Sequence, residues 1–253
     1  AMFTDRDLRG FYFNKPFAMG NAAFYVTRPD AVGIAATDPS ERYEIGARAK
    51  FNFNEQLWLS LNGIWNIYDS GVLSSTAGWG DQENEHVYWG ALGVNFTPAI
   101  ALKLAYYTQE VQTGLNLTDT PTSLQAVIDI KQDALKFTSF WAEYRTFDEN
   151  FTSMLAPWDS YGTVTGTDLG AYDNAMFFKL TQKWTDQWST FQRYLSANAR
   201  FAGGENTTNW TFGVKYNYTP ALSFEVLYDN IENAETIATA DDSLIRFRTY
   251  IVF

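Results

Sequence analysis

The sequence predicts an all-β chain: a transmembrane antiparallel β-barrel of about 12 to 16 strands, with short turns at one end and long loops at the other. Three observations lead there. Hydrophobic residues make up 46% of the chain and aromatics 17%, yet mean hydropathy is slightly negative, because apolar and polar residues alternate instead of pooling. The alternating arms reach the roughly 9 to 11 residues that cross a bilayer at a tilt, beyond the about 5 to 6 of soluble strands. Short turns and long polar loops also alternate strictly along the chain. No stretch approaches the roughly 18 consecutive apolar residues of a membrane helix, so any membrane contact falls to strands.

The first segments are Arg9 to Phe17 and Ala22 to Arg28, separated by Ala18-Met19-Gly20, with alternation blurred by Pro16. Residues 28 to 40 form a loop by their Pro, Gly and Asp content. The clearest hairpin follows. Tyr43, Ile45, Ala47, Ala49, Phe51 and Phe53 alternate with Glu44, Gly46, Arg48, Lys50 and Asn52; Asn54-Glu55 turns the chain, and Leu57, Leu59, Leu61, Trp65 and Ile67 return it. After a loop from Asp69 to Asn84, Tyr88 to Phe96 leads through Thr97-Pro98-Ala99 into Ile100, Leu102, Leu104 and Tyr106.

Leu124, Ala126, Ile128 and Ile130 form the next arm, and Gln132-Asp133 turns it. Leu135 to Phe147 returns, with a bulge expected near Thr138-Ser139, because Phe137 and Phe140 cannot share a face of a regular strand. The longest loop, Asp148 to Tyr172, is the segment expected to fold inward. Met176, Phe178, Leu180 and Trp184 come next, then a turn at Thr185-Asp186-Gln187 and a return from Trp188 to Phe201. Trp210 to Tyr218 and Leu222 to Tyr228 flank a second Thr-Pro-Ala turn, Thr219-Pro220-Ala221.

The last strand places Ile245, Phe247, Ile251 and Phe253 on one face and Arg246 and Arg248 on the other. With the chain closing on an aromatic residue, Phe247, Ile251 and Phe253 resemble the C-terminal insertion signal of bacterial outer-membrane β-barrels. That resemblance implies outer-membrane localisation, short periplasmic turns and long extracellular loops. Counting back from a periplasmic C-terminus gives about thirteen strands, whereas single-chain bacterial barrels have even numbers. Either the first segment is not a wall strand and about 12 remain, or upstream strands bring the total to about 14 to 16. The 253 residues are read as one barrel domain, whole or the C-terminal part of a larger protein.

A family resemblance lies in Leu124-Gln125-Ala126-Val127-Ile128-Asp129-Ile130-Lys131-Gln132-Asp133-Ala134-Leu135-Lys136-Phe137-Thr138-Ser139, followed by Trp141-Ala142-Glu143-Tyr144, together with the terminal Phe253. It resembles the barrel region of the S-layer-homology porins of diderm Firmicutes. The resemblance implies a homotrimeric diffusion channel in contact with outer-membrane lipid. In that family an S-layer-homology domain and a stalk precede the barrel, so a peptidoglycan tether would run only through upstream segments absent from this sequence.

With the apolar parity facing lipid, the other parity lines the lumen. Arg48, Lys50, Lys103, Lys131, Lys136, Lys179, Lys183, Arg200, Lys215, Arg246 and Arg248 are the expected pore-lining cations. Inward acids are fewer: Glu44, Asp129, Glu225 and Asp229. Most other carboxylates sit in the long loops, so a chain of net charge -11 is expected to have a basic wall and an acidic mouth. Such a wall concentrates small anions, unless loop carboxylates fold in and pair with it. Arg193 breaks the pattern, because its parity partners Phe191 and Leu195 are expected to face out; a headgroup site, a subunit contact or a bulge would accommodate it. Trp58, Trp65, Tyr68, Trp89, Tyr106, Trp184, Trp188, Trp210, Tyr216 and Tyr218 gather towards strand ends, where those on the lipid parity would form interfacial girdles.

Cysteine is absent, which excludes disulfides and thiolate chemistry, and the acidic charge argues against nucleic acid. His86 is the only histidine; no catalytic residues, metal ligands or cofactor are expected. The expected function is therefore a non-enzymatic porin, a passive channel for small hydrophilic solutes with a mild anion preference. The alternatives are a structural, tethering or adhesive barrel with a plugged lumen and, less favoured, an outer-membrane barrel enzyme with His86 as base.

Overall fold

A computed structural model describes residues 10–27, 42–68, 86–114, 117–151, 171–201, 204, 206–232 and 241–252. Among them the strands are β1 (Gly10–Phe17), β2 (Gly20–Thr27), β3 (Arg42–Asn52), β4 (Leu57–Tyr68), β5 (His86–Thr97), β6 (Ile100–Gly114), β7 (Leu117–Asp119), β8 (Thr122–Ile130), β9 (Thr138–Phe147), β10 (Tyr172–Lys183), β11 (Trp188–Ala199), β12 (Thr207–Thr219), β13 (Leu222–Glu232) and β14 (Asp241–Ile251). Thirteen of them form one antiparallel sheet in sequence order, and β7 pairs only with β6 beyond it. Within 10–27, 42–68 and 86–110 every predicted arm is a strand, and the strand expected over Arg9 to Phe17 is β1, with Arg9 itself outside the described residues.

The tight ends are built by side chains that cap the turn backbone. Thr97 Oγ1 accepts from the Ala99 amide and Thr219 Oγ1 from the Ala221 amide, each at 3.2 Å. The repeated Thr-Pro-Ala sequence thus makes the same turn twice. Asn54 Oδ1 takes the amides of Gln56 and Leu57, and Thr185 Oγ1 takes those of Gln187 and Trp188. Each hydroxyl or amide oxygen satisfies backbone donors that the ladder leaves behind.

The turn after β8 differs from expectation. Gln132–Leu135 forms a single helical turn, α1, and β9 begins only at Thr138. Leu135 and Phe137 are therefore turn residues, and no bulge is needed at Thr138-Ser139. Lys136 adopts φ 66° and ψ -77°, and the Phe137 amide donates to the Leu135 carbonyl around it at 2.9 Å. That is a γ-turn, a strained conformation for a residue with a β-carbon. The register shifts among the described residues lie elsewhere, at Asn95/Thr97, Gln112/Gly114, Tyr172/Asn174 and Asn217/Thr219.

One face of the sheet is apolar and exposed, including Leu61, Leu92, Leu104, Leu124, Ile128, Phe212 and Phe247. The other is buried and mixed, including Tyr25, Glu44, Ser60, Gln125, Glu143, Thr211 and Glu225. A single-layered sheet buries one of its faces only by curling around it, so the buried face is the concave, inner one. An exposed apolar outside and a polar inside invert the pattern of a soluble barrel and suit lipid.

Rings on the inner face lie flat against the sheet. A β-carbon on Gly46 would fall 1.9 Å from the Tyr25 ring, one on Gly93 2.0 Å from Trp58, and one on Gly213 2.0 Å from Phe191. Each ring lies over a neighbouring strand at a glycine, along the wall instead of across the lumen. At the edges, β1 pairs only with β2 and β14 only with β13 among the described residues. Both edge strands run towards the short-turn end, as the odd number of alternating strands requires.

Candidate functional site

The inner face divides into two zones. The zone nearer the long loops carries an apolar cluster of Tyr107, Phe147, Phe151, Tyr172, Phe177 and Leu195, against which Trp58, Trp89 and Trp141 pack. Trp89 and Tyr107 stack with centroids 5.8 Å apart. Phe151, four residues into the long segment after β9, is fully buried there. The described ends of that segment, Phe151 and Ala171, both join the cluster; most of the segment expected to fold inward, residues 152–170, lies outside the described residues.

Beside the cluster runs a chain of polar groups: the Tyr107 hydroxyl donates to Gln125 at 3.0 Å, Gln125 donates to Glu143, and Arg145 Nε donates to the same Glu143 oxygen. Glu143 and Arg145 are 5% exposed each. Neither is among the pore-lining residues expected from the alternation of the sequence. Yet both share inward parity with Trp141 and Phe147, and continuing that alternation through β9 from Thr138 places them.

The zone at and below mid-height carries the cations. Arg48, Lys50, Lys103, Lys179, Lys215, Arg246 and Arg248 are half-buried on the inner parity of their strands. Lys50 Nζ lies 4.8 Å from the centroid of the Trp58 ring and Lys215 Nζ 5.1 Å from that of Tyr250. Aromatic faces hold cationic heads through their negative quadrupole. Arg248 approaches Glu225 at 3.6 Å, and Tyr250 donates to the same carboxylate at 3.2 Å. Glu44 accepts from Tyr25 at 2.7 Å, Asp229 accepts from Thr211, and Asp129 is half-buried at the lower end of β8. A cavity of about 700 Å³ opens at the short-turn end, lined by Lys215, Asn217, Ser223 and Tyr250 among others.

Four expected pore-lining cations sit elsewhere. Lys136 is in the γ-turn and exposed, because the helical turn moves it off β9. Lys131 is exposed at the turn rim and donates to the Pro98 carbonyl at 3.1 Å. Lys183 is at the rim, paired with Asp186 at 2.9 Å, and this contact holds the fully exposed Asp186 carboxyl below its usual range. Arg200 lies just past β11 at the long-loop end, where it bonds the Phe147 and Tyr172 carbonyls and pairs with Asp173 at 2.9 Å. It fastens strand ends together.

Phe191 and Leu195 are buried on the inner face, opposite to expectation, and this removes the anomaly of Arg193, which shares their parity. Trp58 and Trp89 also turn inward, leaving Trp65, Tyr106, Trp184, Trp188, Trp210, Tyr216 and Tyr218 on the outer parity, most of them near strand ends. Tyr68 begins the long-loop side of its hairpin in register with Arg42. His86 opens β5 on the outer parity beside Tyr88, away from the lumenal charges. Phe247 and Ile251 are 77% and 57% exposed on the outer face, while Phe253 lies outside the described residues. So do the loop acids Asp30, Asp69, Asp81, Glu83, Glu85, Asp159 and Asp168. Among the described residues no group of three His, Cys, Asp or Glu side chains could hold a metal ion.

These features define the chain's class: its fold is that of an outer-membrane β-barrel. The outer membrane protein OprD from Pseudomonas aeruginosa is similar over 97% of this chain and 68% of its own, with a TM-score of 0.59 at 12% identity. OccK10 (OpdN) from the same organism is similar over 96% of this chain and 83% of its own, with a TM-score of 0.52 at 12% identity. No protein-family model matches the sequence, and comparison with curated proteins finds no match.

Proposed function

We propose that this chain is a non-enzymatic outer-membrane porin that passes small hydrophilic solutes and prefers anions mildly. The carrying observation is the pairing of an apolar outer face with an inner face whose half-buried cations, Arg48, Lys50, Lys103, Lys179, Lys215, Arg246 and Arg248, outnumber its acids. Charges in a low-dielectric tube focus their field along it, so an excess of cations raises the local anion concentration. The flat seating of Tyr25, Trp58 and Phe191 over glycines leaves room beside those charges. The resemblance to S-layer-homology porins supports a homotrimer.

Current through the refolded protein in a planar bilayer under a KCl gradient tests this reading. Steady conductance with a reversal potential of anionic sign is expected. A cationic sign would keep the channel and discard the charge argument.

A second reading, a structural barrel with a filled lumen, draws on the apolar cluster around Phe151 and on the Glu143–Arg145 pair. It predicts no current from protein shown to be folded and inserted.

A further inference from the structure

We propose that Lys179 and Arg193 together form a discrete site for one small oxyanion, a carboxylate or phosphate group, at mid-height on the inner face. The site rests on the reading of that face as a solute path and says where along it an anion pauses.

Lys179 on β10 and Arg193 on β11 are direct cross-strand partners, and both point inward. Like charges directly opposite one another destabilise a sheet, and more so where solvent is restricted. Among the described residues neither cation forms an ion pair. The carboxylates that would relieve them are engaged. Glu143, on β9 beside Lys179 and diagonal to it in register, takes Arg145 and Gln125. Asp229 lies in the same row, beyond Thr211, two strands and about 10 Å from Arg193, and it receives the Thr211 hydroxyl. Glu225 takes the Tyr250 hydroxyl and Arg248.

Arg193 is also held in place with a donor to spare. Its guanidinium lies 4.9 Å from the centroid of the Phe191 ring, and that ring is seated on Gly213. Its Nε is buried with no hydrogen-bond partner. A buried donor left unmatched is costly, and a nearby second cation adds to the cost. One oxyanion answers both, accepting from the guanidinium fork and balancing the ammonium opposite. The contrast lies on the adjoining strand β9, where Arg145 already has Glu143 as its ion-pair partner.

The test uses the refolded full chain and potassium phosphate as the probe. In a planar bilayer, phosphate added to KCl should reduce the wild-type current in a saturable way. The double variant Lys179→Gln, Arg193→Gln should raise the half-blocking concentration by about tenfold or more, since it removes charge-assisted bonds. Lys183→Gln, at the rim and paired with Asp186, should leave that concentration unchanged; an equal shift there would mean a diffuse field and overturn a discrete site. Because the double variant removes a repulsion it should fold, and phosphate should raise the melting temperature of the wild type but not of the variant. Conductance without saturable block and without phosphate stabilisation overturns the site and leaves the channel. Stabilisation by phosphate in an inserted protein that carries no current overturns the channel and leaves the site.

Discussion

The ring of Phe191 lies on Gly213 of the neighbouring strand so closely that a β-carbon there would sit 2.0 Å from the ring's Cζ. Gly213→Ala must therefore lift the ring off the wall. Overpacking of this kind costs about 1 to 3 kcal/mol. The lifted ring would also enter the lumen and carry the Arg193 guanidinium with it. Urea unfolding in detergent or lipid should show the loss, and single-channel conductance should fall. Adding Phe191→Ala should recover part of both, so that the two changes are not additive.

A second prediction concerns the turn before β9. Lys136 occupies φ 66° and ψ -77° without contributing to the inner face. Glycine adopts that backbone without the β-carbon penalty. Lys136→Gly should stabilise the protein by about 0.5 to 1 kcal/mol, seen as a higher urea midpoint. It should leave the reversal potential unmoved, whereas Lys179→Gln should shift it towards cations. A shift from Lys136→Gly equal to that from Lys179→Gln would return Lys136 to the pore lining.

Which features were legible in the sequence follows from how much each depends on period two. Arms such as Ile100 to Tyr106 carry an uninterrupted alternation, so both their existence and their outer face could be read directly. β11 could not be read that way, because Phe191 and Leu195 are apolar on the inner face while Tyr194 is aromatic on the outer. Hydrophobicity there does not mark lipid. The missing signal was Gly213, a residue without a side chain directly across from Phe191, which makes room for an inward ring. Lys136 is not placed by alternation, because a helical turn and a strand start are equally consistent with Gln132-Asp133-Ala134-Leu135. Glu143 and Arg145 were missed for a related reason: a register anchored at Leu135 assigns the wrong start to β9, and the lumenal ion pair emerges only once the strand begins at Thr138.

The rim offers a pH-dependent prediction. The Asp186 carboxyl is held below its usual range by its hydrogen bond and ion pair with Lys183. A lowered folded-state value means the contact favours the fold above the ordinary carboxylate range and loses that effect as pH falls through the lowered value. Because Asp186 is fully exposed, the effect on stability should be slight. Carboxyl chemical shifts of Asp186 followed through acid titration should give a midpoint below that of the same residue in Lys183→Gln. Equal midpoints would remove the contact.

Glu143 and Arg145 test whether the inner face is a wall held by internal pairing. Both are almost wholly buried, and Glu143 also receives Gln125, which in turn receives Tyr107. Removing one partner of a buried pair leaves an uncompensated charge, at a cost of about 3 to 5 kcal/mol. Glu143→Gln should therefore lower the urea midpoint strongly, through Arg145 and not through lost carboxylate bonds alone. Replacing both, as Glu143→Gln with Arg145→Met, should restore most of the loss, since neutralising the site together removes the desolvation penalty along with the attraction. A different result is expected for Glu225, which is tied to the half-exposed Arg248 at 3.6 Å. Glu225→Gln should leave stability nearly unchanged and raise the anion preference in the reversal-potential measurement, because it removes an inward carboxylate from the cationic zone. If Glu143→Gln instead behaved like Glu225→Gln, with a shifted reversal potential and little loss of stability, water would have to reach Arg145, and the zone nearer the long loops would be open lumen instead of packed wall.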